Sequence, residues 1–225
     1  MEKHGNVFVV REDLLTGGTK RRFIDDFVLA PHDEFVYAST AYGGAQIALA
    51  HACAQAGKRA VIFVAKRKAL HPRTLEAKKA GAKIVQVPMG YLSNLQFRAK
   101  AYCEKTGALL VPFGFDTPES RAALAEAARM VKAVHGRFDE VWAAAGSGTL
   151  IRALQQANLG KRYFAVAVGR NAEVGKAKLI RHPMEFAQDA RIKPPFPSCS
   201  NYDAKVWEYV SKRTARKVLF WNVMG

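Results

Sequence analysis

A chain of 225 residues with 49% apolar and 24% charged residues has the balance of a globular protein with a sizeable core, which sets aside the disordered and fibrous classes. No run of about 18 apolar residues occurs, so no membrane-spanning helix is expected, and the start Met1-Glu2-Lys3-His4-Gly5 lacks the basic-then-apolar pattern of a secretory leader. Thirty-five Lys and Arg against 19 Asp and Glu give a net charge of +16, which attracts polyanions.

That charge leaves two readings open: nucleic acid as partner or substrate, and a solubility adaptation with general affinity for acidic ligands. Cys53, Cys103 and Cys199 have no metal-ligand spacing, and their odd number argues against a disulfide framework. Neither a metal nor a membrane is expected, and the cytoplasm is the simplest compartment.

In chain order, short apolar runs alternate with helical patterns. Strands are expected at Asn6–Val10, Phe35–Ser39, Ala60–Ala65, Lys83–Val87, Ala108–Pro112, Glu140–Ala144, Tyr163–Val168 and Lys217–Trp221, each rich in Val, Ile or aromatic residues. Helices are expected at Gly44–Ala56, Pro72–Ala80, Ser93–Lys105, Pro118–Val134, Gly148–Ala157 and Tyr202–Thr214. The helix after Thr117 is the best specified: Thr117 caps it, Pro118 and Glu119 suit its first turn, and Gly136 ends it. Strands alternating with helices of this length mean crossover units and parallel sheets, an α/β fold. Gly169–Ser200 reads as a long basic loop carrying Arg170, Lys176, Lys178, Arg181, Arg191 and Lys193, with one short helix near Met184–Asp189.

Two glycine loops follow strands. In Arg11-Glu12-Asp13-Leu14-Leu15-Thr16-Gly17-Gly18-Thr19-Lys20, the glycines let backbone N–H groups approach an anion. The cationic neighbours of Lys20 are expected to lower its pKa, as an imine-forming amine requires. Taken alone, the segment also reads as a tight turn with a solvated basic patch. The second loop, Gly146-Ser147-Gly148-Thr149, offers backbone amides and two hydroxyls to a phosphate at a helix N-terminus. His51 and His135 read as packing or surface residues, His32 and His71 as exposed loop residues, and Trp142 as core. Tyr42 stands beside Gly43 and Gly44, where an aromatic ring can stack on a ligand.

Together these motifs resemble the fold-type-II pyridoxal-phosphate enzymes, in particular the branch of 1-aminocyclopropane-1-carboxylate deaminase and D-cysteine desulfhydrase. The Lys20 segment is similar to that branch's Arg-Glu-Asp-Leu followed by Gly-Gly-Asn-Lys. Ser39–Gly57 resembles the family's Ser-Asn-His helix, and Gly57–Val87 its next crossover. Val111–Val168 resembles the run through the phosphate loop. Tyr202-Asp203-Ala204-Lys205 and Val218-Leu219-Phe220-Trp221 look like the deaminase C-terminus, with its Tyr-Thr-Gly-Lys and closing Phe-Trp-His-Thr-Gly-Gly.

The resemblance implies a tryptophan-synthase-β-like fold of two parallel-sheet α/β domains with pyridoxal 5'-phosphate in the cleft. Residues 1–34 and 112–225 would form the larger domain and 35–111 the smaller. Lys20 would bind the cofactor covalently, and Gly146, Ser147, Gly148 and Thr149 would hold its phosphate. Gly43, Gly44 and Gln46 would face the ring, and Tyr202 the substrate. Two departures stand out. The asparagine expected at the phenolic oxygen falls at Gly44, with Gln46 as a candidate substitute, and the hydroxyl expected at the pyridine nitrogen is replaced by Val223.

The implied activity is a lyase or deaminase reaction on an amino-acid-like substrate, and family habit implies a homodimer. With the charge, the reading extends to an amino acid attached to a modified DNA base, as in a bacteriophage base-modification pathway in the host cytoplasm. The alternatives are a non-catalytic nucleic-acid-binding protein on a degenerate form of this fold, and a phosphoribosyltransferase. The latter rests on Val7–Thr19 alone, where Arg11 occupies the place of the first acid.

Overall fold

The computed structural model describes residues 1–88, 90–168 and 172–225. The elements are β1 (Glu2–His4), β2 (Val7–Arg11), 3-10 turns at Glu12–Leu14 and Gly18–Arg22, α1 (Ile24–Phe27), β3 (Glu34–Ala38), α2 (Ala45–Gln55), β4 (Arg59–Ala65), α3 (Pro72–Lys79) and β5 (Lys83–Val87). There follow α4 (Leu92–Thr106), β6 (Leu109–Leu110), a 3-10 turn at Phe113–Phe115, α5 (Pro118–His135), β7 (Phe138–Ala145), α6 (Thr149–Gln156), β8 (Gly160–Ala167), β9 (Lys178–Arg181), α7 (Ala204–Val210) and β10 (Val218–Asn222). Among the described residues no helix is long and apolar enough to cross a membrane.

The contacts divide the chain into two units, Met1–Arg22 with Asp116–Gly225, and Phe23–Phe115. The first holds a six-stranded sheet in the order β1-β2-β10-β7-β8-β9. Its strands run parallel except β1, which pairs antiparallel with β2 at the edge. Register puts Val7 and Val9 beside Val218 and Phe220, and Phe220 beside Trp142, which lies next to Phe164. Side chains two apart along a strand share a face, so these residues form one apolar surface, which Val206, Trp207 and Val210 of α7 cover. Trp142 is buried there and stacks on Phe164 at 4.3 Å, as its place in a core strand predicts.

The second unit is a four-stranded parallel sheet in the order β5-β4-β3-β6. Its central β4 is buried from Ala60 to Val64, the continuous apolar run of a strand covered on both faces. Val36, Val61, Phe63, Leu95 and Ala99 make its core. Residues 23–34 and 112–115, expected with the larger domain, group with this unit. The reason is aromatic packing: Phe23 and Phe27 lie 5.8 and 5.3 Å from Phe115, and Phe27 lies 6.0 Å from Phe35.

α5 begins as its sequence dictates, with Thr117 Oγ1 accepting the Ser120 N–H at 3.1 Å and Pro118 in the first turn. Gly136 then ends it at a φ of +68°. Three expectations need correction. No helix forms at Met184–Asp189; the segment is a turn in which the Gln188 N–H reaches the Glu185 carbonyl at 3.0 Å. Part of the expected basic loop is β9, an edge strand bounded by Lys178 and Arg181. Gly169 and Arg170 of that loop lie outside the described residues. The last helix is shorter than Tyr202–Thr214, because Arg213 turns back to pair with Glu140 at 2.6 Å.

Candidate active site

β2, β10 and β7 are adjacent and parallel, so the segments after their carboxyl ends meet at one edge of the first sheet, the edge where open α/β sheets bind ligands. The segment after β2 carries Lys20. Gly17 and Gly18 take φ values of +85° and +70°, which a side chain resists. A Cβ on Gly18 would sit 2.2 Å from the Val223 carbonyl oxygen. That close approach lets the Thr19 N–H donate to the same carbonyl at 3.0 Å, while Trp221 Nε1 donates to Thr19 Oγ1 at 3.2 Å. Val223, which offers no hydroxyl to a pyridine nitrogen, holds the lysine segment through its backbone carbonyl.

The loop after β7 is Gly146–Thr149. Gly148 takes a φ of +88°, and a Cβ there would meet the Glu173 carbonyl oxygen at 1.9 Å. Ser147 Oγ and Thr149 Oγ1 are 2.9 Å apart, and Ser147 Oγ also accepts the Thr149 N–H, the first of α6, at 3.4 Å. The N–H groups of α6 that follow Thr149, with these two hydroxyls, are the candidates to meet an anion. Tyr202 Oη accepts the Gly146 N–H at 2.9 Å, tying the tyrosine to the first residue of the loop.

Lys20 keeps some exposed surface, yet burial pulls its pKa below the ordinary lysine value, while the Asp203 carboxylate acts in the opposite sense. The expected direction holds, but its cause is desolvation and not the neighbouring cations. Of those, Arg22 pairs with buried Glu12 at 2.7 Å and Arg11 with Asp13 at 2.7 Å. Asp203 is the functional candidate that sequence reasoning missed. It is fully buried, follows Tyr202 directly, and its Oδ2 accepts the Met224 N–H at 3.1 Å. The signal was its place in the C-terminal motif, where the resemblance drew attention to Tyr202 alone. The acids that a phosphoribosyltransferase reading needs are otherwise engaged: Glu12 with Arg22, and Asp13 with Arg11 and with Asn222 Nδ2 at 2.7 Å.

Gly43, Gly44 and Gln46 belong to the second unit. Gln46 is buried, and its Nε2 donates to the carbonyls of Gly43 and Ala41 at 2.9 and 3.1 Å. Both amide protons are thereby committed to shaping the 40–44 turn, and Gln46 has no donor left for a phenolic oxygen. Tyr42 packs edge-on against His71 at 4.6 Å, beneath the Arg67 guanidinium. His71 also caps α3, its Nδ1 accepting the Arg73 N–H at 3.3 Å.

The residues of the first unit fit a phosphorylated aldehyde cofactor: a buried amine of lowered pKa follows β2, and a hydroxyl-bearing helix N-terminus follows β7. Comparison with known proteins agrees. The family of pyridoxal-phosphate dependent enzymes matches over residues 2–204. No curated protein matches the chain. Among solved structures, an ACC deaminase homologue has 18% identity over 97% of this chain and 84% of its own, with a TM-score of 0.81. O-ureido-L-serine synthase has 18% identity over 97% and 83%, with a TM-score of 0.76. Diaminopropionate ammonia lyase of Escherichia coli has 16% identity over 97% and 78%, with a TM-score of 0.67. At these identities the structures speak to the fold. The family match reaches nearly the whole chain, and the chain belongs to the pyridoxal-phosphate-dependent enzymes, with the fold-type-II architecture and pyridoxal 5'-phosphate as its cofactor.

Proposed function

We propose that this protein is a lyase or deaminase acting on an amino-acid-like substrate, with Lys20 as the lysine that binds the cofactor. The observation that carries this reading is the buried Lys20 amine, held at the same sheet edge as the open Gly146–Thr149 loop. A deaminase homologue and an ammonia lyase stand among the similar structures, which supports that reaction class.

Bound at this edge, pyridoxal phosphate supplies an electron sink for breaking a bond at the carbon next to the substrate's amine. The N–H groups that open α6 and the Ser147 and Thr149 hydroxyls would take the phosphate. Burial of Lys20 raises the fraction of neutral Nζ, which can accept a proton from the substrate carbon, and buried Asp203 stabilises the ammonium that results. Tyr202 Oη, which accepts the Gly146 N–H, would face the substrate beside the phosphate loop.

The test is the absorbance of the protein with added pyridoxal phosphate, beside a Lys20→Ala variant. A lysine-bound cofactor band in the wild type that is lost in the variant supports the assignment. No band, or an unchanged one, overturns it in favour of a non-catalytic nucleic-acid-binding protein on the same fold.

The net charge of +16 supports a narrower substrate, an amino acid carried on a modified DNA base. Turnover of a DNA-linked amino acid should then fall steeply as salt rises. Equal turnover of free amino acids at every ionic strength excludes the DNA-linked substrate.

A further inference from the structure

Around the beginnings of β7, β8 and β9, at the other end of β7 from the Gly146 loop, the first unit has a groove of about 670 Å³ lined by Arg137, Lys161, Arg162, Lys176, Lys178 and Arg213. Two carboxylates meet these six cations. Asp139 pairs with Lys161 at 2.9 Å, and fully buried Glu140 takes Arg162 at 2.9 Å and Arg213 at 2.6 Å. Arg137, Lys176 and Lys178 are exposed and, among the described residues, meet no carboxylate; Arg137 donates only to the Gly160 carbonyl, at 2.8 Å. Arg213 lies over the rings of Trp142 and Phe164 at 5.4 and 5.6 Å, which fixes its guanidinium plane in the groove.

We propose that this groove binds the phosphodiester backbone of a nucleic acid. The surplus of four positive charges is spread over the starts of three strands and not gathered at one point, which suits a chain of phosphates better than a single one. Its aromatic floor is already occupied by Arg213, so bases are not stacked there and recognition is of the backbone, independent of sequence. Eight residues of β7 separate the groove from the Gly146 loop, roughly 25–30 Å of extended chain, so it is a separate site. The inference stands whether or not DNA carries the substrate, because it concerns binding and not turnover.

The experiment is fluorescence anisotropy of a labelled oligonucleotide with the cofactor-loaded protein over a series of salt concentrations. The variant Arg137→Ala/Lys176→Ala/Lys178→Ala removes the three unpaired cations. A control, Lys78→Ala/Lys79→Ala/Lys105→Ala, removes the same charge from exposed sites on the second unit. Loss of three phosphate contacts lowers the log–log salt slope by about 3 and weakens binding at least ~10-fold near 0.1 M salt. The control should bind nearly as wild type. Absorbance of the bound cofactor, unchanged in both variants, shows that they are folded and separates this result from any failure of the Lys20 assignment. Equal losses in both variants would leave only bulk charge and overturn the proposal. So would absence of binding at low salt, or displacement by polyglutamate or inorganic phosphate as effective as by unlabelled oligonucleotide.

Discussion

Gly18→Ala tests how the lysine segment is held. The substitution meets two costs. At a φ of +70° a Cβ is disfavoured by about 1–2 kcal/mol. The added methyl also falls 2.2 Å from the Val223 carbonyl oxygen, which belongs to backbone and cannot swing aside. Relief requires the turn to move by about 1 Å, which breaks the Thr19 N–H bond to that carbonyl and adds about 1 kcal/mol. The sum, about 2–3 kcal/mol, lowers the melting temperature by roughly 4–12 °C in a chain of this size. Gly57→Ala is the control, since Gly57 has a φ of +67° but open space around it, and should show the conformational cost alone. Thermal unfolding by circular dichroism reads stability, and cofactor absorbance reads whether Lys20 still reaches its place. A Gly18→Ala protein no less stable than Gly57→Ala, with an unaltered band, refutes the account of Val223 as the anchor.

Two further substitutions probe the same unit. Tyr202→Phe deprives the Gly146 N–H of its acceptor and should cost about 1 kcal/mol. It should weaken cofactor binding while the band is still reached at saturation; an unchanged cofactor Kd in titration excludes a role for Tyr202 in holding the loop. Glu140→Gln leaves Arg213 and Arg162 facing a neutral, fully buried amide and weakens the bond from Trp142 Nε1. Both arginines reach solvent, so the loss should be about 2–4 kcal/mol, less than for a fully buried pair. Denaturation at neutral pH measures it, and an unchanged midpoint denies Glu140 its structural role.

Much of the fold is legible because local signals agree. The cap, proline and terminal glycine of α5 each occupy the one place their chemistry favours, and β4 is apolar from Ala60 to Ala65 because α2 and α4 pack against it. β1 and β9 escape notice because they are three- and four-residue edge strands with charged ends, so no apolar period marks them. The site divides in the same way. Lys20 and Gly146–Thr149 lie in contiguous motifs whose glycines announce unusual backbone. Asp203 bears on Lys20, and the Val223 carbonyl on Thr19, across roughly 200 residues of chain, and Val223 acts through an atom every residue possesses. Gln46 shows the converse: its residue type suits the cofactor, while its amide protons are spent on the turn it belongs to.

The charge state of Lys20 offers the sharpest separation between an enzyme and a degenerate binder. Burial lowers the pKa of its ammonium from the ordinary 10.5, and Asp203 only partly opposes the shift. Between the folded and unfolded values the unfolded chain binds more protons than the folded one, so stability of the cofactor-free protein rises with pH across that window. Below the folded value the penalty for burying the charge is fully present; above 10.5 it is gone. Buried Lys205, whose Nζ donates to the Glu185 carbonyl at 2.7 Å, shifts in the same direction, so Lys20 must be isolated by difference. Stability of wild type minus that of Lys20→Met, from denaturant unfolding at a series of alkaline pH values, should increase as pH climbs towards 10.5. A fold kept only for binding has no use for an amine that destabilises it at neutral pH, whereas covalent attachment of a carbonyl cofactor needs one. Parallel curves for the two proteins would mean that Asp203 fully compensates the ammonium, and the activated amine on which the proposed reaction depends would be absent.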